Sequence, residues 1–172
     1  MLPRRCALRP ENRSALCPLP FLVLALLAAS CRRGPAPEIR IGLLATLTGT
    51  YAAASGIPTL EGARLAVQEA GPIRIDGVLH NVVLVTKDFE DRADAAGSAA
   101  RALINQEQVV AIIGPQFSRH AVPAAVIAEN AGIPMISPMS SNPATTAGKS
   151  YVFRLAYLDE FQGEVLARAA VE

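Results

Sequence analysis

Residues able to do chemistry are few in this chain of 172 residues, and the useful ones fall in two loops. Ser118 follows the apolar run Val109 to Ile113 and the break at Gly114 and Pro115. Ser137, Ser140 and Ser141 follow a second, shorter run, Pro134 to Ile136. Hydroxyls beside the free N–H groups of a helix start suit the capture of a small anion, because the dipole and the donors point the same way. Ser118 either receives such a ligand or caps the helix that begins there. Ser140 and Ser141 either serve the same ligand or are turn residues ahead of Pro143. The only histidines, His80 and His120, fall on different elements and are expected at the surface. Asp88, Glu90, Asp91 and Asp94 fit a solvated helix entry better than a metal site. No G-x-S-x-G elbow, P-loop or G-x-G-x-x-G follows a strand, so no enzyme, cofactor or metal centre is expected.

These loops must be held by regular elements, and the pattern supplies them. Val109 to Ile113 lacks alternation, as a strand buried on both faces does. A helix rich in alanine (Ala121, Ala124, Ala125, Ala128) runs from Ser118 to Gly132, and Pro134 to Ile136 begins another strand. Earlier, Ile39 to Leu44 reads as strand one and Pro58 to Ala70 as a helix with Leu60, Ala63, Ala66 and Val67 on one face. His80 to Lys87 reads as strand two and Ala93 to Gln106 as a helix. Tyr151 to Leu155 is a further apolar run, and a helix opens at Phe161. Repeated β-α units with short loops predict an α/β fold with a doubly wound, parallel sheet. Ligands of such sheets sit beyond the carboxyl ends of the strands, so the loop of Ser118 and the Ser137 to Asn142 loop should meet there.

The first thirty residues read as a leader. Arg4, Arg5, Arg9 and Arg13 precede Leu19 to Ala29, an apolar stretch of eleven residues and too short to span a bilayer. The string Leu27-Ala28-Ala29-Ser30-Cys31 resembles a bacterial lipobox, in which the cysteine becomes a lipidated N-terminus. An ordinary secretory signal and a lone membrane anchor are the alternatives. Cys6 and Cys17 would leave with the leader and Cys31 would carry lipid, so no disulfide is expected. Arg32 to Pro37 then forms a tether, and residues 38–172 form the domain. Removing Arg4, Arg5, Arg9, Arg13 and Glu11 from 16 basic and 15 acidic residues leaves twelve against fourteen, near −2. No basic face appears, which argues against nucleic acid as a partner. The last helix carries no stop signal before Glu172, so the fold is expected to continue beyond this fragment.

The domain resembles the N-terminal lobe of type I periplasmic binding proteins, and within them the branched-chain (leucine/isoleucine/valine) amino acid binding proteins of ABC importers. The resemblance is carried by Ile41-Gly42 to Leu47-Thr48-Gly49 with Glu61-Gly62-Ala63, and by Asp88 to Asp91. Ile113-Gly114-Pro115 to Ser118 and Ile136-Ser137-Pro138 to Asn142-Pro143 add to it, as do Arg154, Asp159 and Gln162-Gly163. It implies two lobes closing over one ligand, with only the first represented here. It further implies that Ser118 receives the ligand's α-carboxylate and that the Met139 carbonyl accepts from its ammonium group. By the same resemblance Ser141 touches both ends of an amino acid, Ser140 offers a backbone N–H, and Asp159 is structural. Thr50 and Tyr51 followed by Ala52, Ala53 and Ala54 depart from the family's usual loop, where Tyr51 either lines the cleft or packs on the surface.

The resemblance makes the expected function extracytoplasmic capture of an amino acid by a lipid-anchored protein of the bacterial cell envelope, delivering to ABC transporter permease subunits. A sensor of the same fold, feeding a signalling receptor, is the alternative. A third, distant reading is an exported Rossmann-like enzyme whose catalytic residues lie elsewhere.

Overall fold

The computed structural model of this chain describes residues 35–172. The leader (1–30), Cys31 and most of the tether (31–37) lie outside the described residues. β1 (Glu38–Ala45) passes through one π-helical turn (Ala52–Gly56) into α1 (Ile57–Ala70). β2 (Ile73–Ile75), β3 (Val78–Asp88), α2 (Ala93–Asn105) and β4 (Ala111–Ile113) follow. Then come α3 (Ser118–Ala131), β5 (Met135–Ser137), a 3-10 turn (Pro143–Thr145), β6 (Val152–Arg154) and α4 (Asp159–Ala169).

The strands form one six-stranded sheet in the order β2-β3-β1-β4-β5-β6. β1 lies inside it, with Ile41 opposite Leu84 of β3 on one side and Ala111 of β4 on the other. Its last residues explain the doubly wound architecture. Leu43 and Ala45 are fully buried in a cluster with Leu60 of α1. Leu44, between them, belongs to the larger core with Leu103 of α2 and with Ala124, Ala125 and Ala128 of α3. Successive side chains of a strand point to opposite faces, so α1 covers one face while α2 and α3 cover the other. Ala96 and Ala100 of α2 face a helix whose buried residues are nearly all alanine. These short side chains let the two helices pack closely, and a Cβ placed on Gly97 would come within 3.9 Å of Pro123.

The doubly wound sheet is mostly parallel; the departure is at its edge. β2 pairs antiparallel with β3 through a tight turn at Asp76 and Gly77, both with positive φ. Asp-Gly between two short strand segments is the signal for such a hairpin. Further along, the Val109 to Ile113 run is less regular than expected. Only Ala111–Ile113 is strand, Val109 is buried in the core just before it, and Val110 is exposed. Ala66 of α1 also lies exposed rather than on the buried face, and α4 opens at Asp159 instead of Phe161. Among the described residues no helix is long and apolar enough to cross a membrane.

Candidate functional site

β1 and β4 are neighbours whose connections leave in opposite directions, through α1 to β3 and through α3 to β5. Their outgoing loops therefore diverge and open a crevice at the carboxyl ends of the strands, the place where open α/β sheets bind ligands. Two glycines make this close approach of backbones possible. A Cβ on Gly114, whose φ is 88°, would lie 2.1 Å from the Leu44 carbonyl oxygen. One on Gly56 would lie 1.6 Å from that of Thr46. Neither position has room for a side chain.

Four loops at this end are tied in series. The Asp88 carboxylate accepts from the Leu47 N–H (3.0 Å) and the Thr48 hydroxyl (2.6 Å), joining the loop after β3 to the loop after β1. Burial pushes the Asp88 carboxyl up, but the Thr48 hydroxyl and the N–H groups of Glu90, Leu47 and Thr48 hold it below its ordinary range. Arg119, at the start of α3, donates to Asp91 and so joins the loop after β4 to the same group. Ser118 makes the last link: its oxygen accepts from the Ser140 hydroxyl (3.0 Å) and from the Asn142 N–H (3.3 Å) in the loop after β5.

The structure therefore brings Ser118 and the Ser137 to Asn142 loop together, and it corrects the part each plays locally. Ser118 is not a helix cap. Phe117 occupies the capping position in extended conformation, and Ser118 is the first residue of α3 with its hydroxyl directed outward to the neighbouring loop. Its N–H and that of Arg119 are first-turn donors with no partner in the helix, and the positive end of the α3 dipole is added to them. Ser140 is fully buried, with its hydroxyl between Ser118 and Thr145 (2.6 Å) and its N–H on the Ser137 hydroxyl (3.3 Å). That N–H is directed at Ser137, and the Ser140 hydroxyl braces Ser118. Ser137 is itself anchored on the Pro115 carbonyl at 2.6 Å.

Met139 is half exposed, and its sulfur lies 3.9 Å from the Ser55 hydroxyl in the turn before α1. Ser141 is partly buried, and its carbonyl accepts from the Asp159 N–H at the start of α4. Tyr51 stands at the mouth, 39% exposed, with its ring edge-on to Phe117 at 5.1 Å between centroids. His120 is the clearest surprise. Expected at the surface, it is fully buried against Phe89, with Nε2 3.1 Å from the Asp91 carbonyl and 3.0 Å from Arg119 Nε. Burial pulls its pKa down, the Arg119 charge adds to this, and Asp91 opposes it. The acidic cluster likewise turns out to be structural, since Asp88 and Asp91 tie loops together while Asp94 pairs with Arg92. Among the described residues no group of three His, Cys, Asp or Glu is placed to hold a metal.

A doubly wound lobe whose switch-point crevice carries hydroxyls and a helix N-terminus has the form in which such sheets take small ligands. Comparison with known proteins agrees: residues 38–172 match the periplasmic binding protein family, and the chain belongs to it. This is a solute-binding family and not a family of enzymes. The chain is similar to the leucine-specific-binding protein of Salmonella typhimurium, at 30% identity over 155 residues, which is 88% of this chain and 41% of the relative. It is 35% identical over 134 residues to the Leu/Ile/Val-binding protein BraC3 of Rhizobium johnstonii, covering 76% of this chain and 35% of that one. Among solved structures it resembles the branched-chain amino acid transporter substrate binding protein LivJ of Streptococcus pneumoniae in complex with isoleucine. The TM-score is 0.70 and the identity 34%, over 78% of this chain and 38% of that one. The chain thus spans about two fifths of the length of these relatives.

Proposed function

We propose that this chain is the N-terminal ligand-binding lobe of an extracytoplasmic solute-binding lipoprotein that captures an amino acid of the branched-chain type for an ABC importer. The observation that carries this reading is Ser118. It lies at the α3 N-terminus with its hydroxyl facing the neighbouring loop and not its own helix. A carboxylate arriving there meets a hydroxyl, first-turn N–H groups and a favourable dipole together. In this reading the Met139 carbonyl and the Ser141 hydroxyl receive the ammonium group, and Tyr51 walls the ligand's side chain. Relatives named for leucine or for leucine, isoleucine and valine, and one solved with isoleucine bound, support the ligand class. Lipid attachment at Cys31 and delivery to permease subunits complete the proposal, and a second lobe closing over the crevice would exclude water from it.

Titration calorimetry with L-leucine and L-valine tests the assignment. Hydrogen bonds to charged groups contribute about 1.5–3 kcal/mol, so Ser118→Ala should weaken both ligands by roughly ten- to hundred-fold. The two losses should match, because the contact addresses a group that both ligands share. A Ser118→Ala protein that binds both amino acids as before would overturn the reading.

A further inference from the structure

The guanidinium of Arg119 lies 5.1 Å from the ring centroid of Tyr51 and 5.6 Å from that of Phe117. It is therefore stacked on the edge-to-face pair at the mouth of the crevice. Its edge is also engaged: Nη2 donates to Asp91 Oδ1 at 2.5 Å, and Nε points at His120 Nε2 at 3.0 Å. A planar cation engaged on its face by aromatic rings and along one edge by Asp91 and His120 is held from two directions and can fix what it touches.

What it touches needs fixing. Tyr51 is exposed, and the turn behind it continues with Ala53 and Ala54, exposed small residues that give the ring no packing partner. Its aromatic contact is Phe117, on the loop after β4. Asp91, by contrast, belongs to the loop after β3, where Glu90 and Asp91 both have positive φ and the Asp88 carboxylate accepts from the Glu90 N–H. Arg119 thus reaches from α3, across the aromatic pair, to an anchored carboxylate. Hydrogen bonding to Asp91 raises the pKa of Arg119 most; burial opposes this, and the Asp91 charge and the Tyr51 phenol add to the rise.

We propose that Arg119 is a positioning residue that pins the Tyr51 ring against Phe117, and that through this ring it sets which ligand side chains the crevice accepts. The proposal rests on the reading of the crevice as an amino acid site, and it goes further by assigning the selectivity to a residue outside the hydroxyl loops. With Arg119 in place the wall is rigid, and a ligand filling the space beside it is favoured over a smaller one. Without it Tyr51 swings freely, and the two are discriminated less.

The test compares the affinities of L-leucine and L-alanine, by calorimetry, in the wild type and in Arg119→Ala, Arg119→Lys and Ser118→Ala. Loss of an exposed cation–π contact should lower the leucine-to-alanine ratio about two- to five-fold in Arg119→Ala. Arg119→Lys retains the charge opposite Asp91 and so guards against misfolding, but it lacks the planar face and should show the same flattened ratio. Ser118→Ala should weaken both ligands and leave the ratio unchanged. If either Arg119 variant folds and retains the wild-type ratio while Ser118→Ala loses affinity, the positioning role is wrong and the ligand site stands. If Ser118→Ala binds as the wild type does, the ligand site itself is wrong.

Discussion

The Ser118 hydroxyl oxygen lies 3.0 Å from that of Ser140, and Ser140 lies 2.6 Å from that of Thr145, so three hydroxyls form a line from the rim of the crevice into the core. The outermost is partly exposed and the inner two are fully buried. Their order explains how a small, flexible side chain at a helix start can present one fixed oxygen.

Ser140→Ala should therefore act at a distance. It leaves the buried Thr145 hydroxyl without its partner, which should cost about 1–3 kcal/mol in denaturant unfolding. Leucine affinity should also fall, but by less than in Ser118→Ala, since the Asn142 N–H still holds Ser118. Unchanged stability would show that the hydroxyl line carries no load.

His120 gives the fold a pH dependence whose sign follows from its burial. Its pKa is lowered in the folded state, so its contribution to stability is complete above the unfolded value of about 6.5 and is lost as pH falls through and below it. Asp91 and Arg119 are the charged groups that face it. Thermal midpoints followed from pH 7 to pH 5 should fall more steeply in the wild type than in His120→Gln. Equal slopes would exclude His120 as the cause.

One substitution should have opposite effects at two glycines. Gly114→Ala places a Cβ against the Leu44 carbonyl in a left-handed backbone conformation and should cost about 3 kcal/mol or more. Gly62→Ala falls in α1 with nothing within 4 Å and should stabilise by about 0.5–1 kcal/mol. Denaturation midpoints moving in the same direction for both would contradict this account of the crevice floor.

For Cys31, metabolic labelling with a fatty-acid analogue should tag the protein, and Cys31→Ala should abolish the tag and move the protein out of the membrane fraction. Several acyl chains on one cysteine would satisfy the need for more than a single chain in firm attachment. An untagged wild type would remove the lipoprotein proposal.

Much of this architecture was legible in the residues. The unalternating run Val109 to Ile113 announces a strand covered on both faces, and the order of the loops places Ser118 near the Ser137 to Asn142 loop. Other features depended on details that a coarse pattern passes over. The Ile73 to Leu79 hairpin hides in a short stretch whose signal is only Asp76-Gly77. Capping is one of two readings of Ser118, because serine commonly caps helices, yet the extended backbone of Phe117 takes that place. His120 was misplaced although its spacing from Ala124 and Ala128, four and eight residues on, puts it on the buried stripe of α3. Arg119 could not have been found by pattern, since its partners Tyr51 and Asp91 lie on two other loops.

The placement of β1 has a consequence for access from outside. It runs parallel to its neighbours from Glu38 to Ala45, and the crevice opens beyond Ala45. Eight extended residues span about 26 Å, so Glu38 lies at the foot of the sheet, a full strand length from the opening. Anything that holds this lobe through the residues before Glu38 grips it by its far end. Under the proposed lipid attachment, the anchored end of the lobe is therefore not the end that carries the crevice.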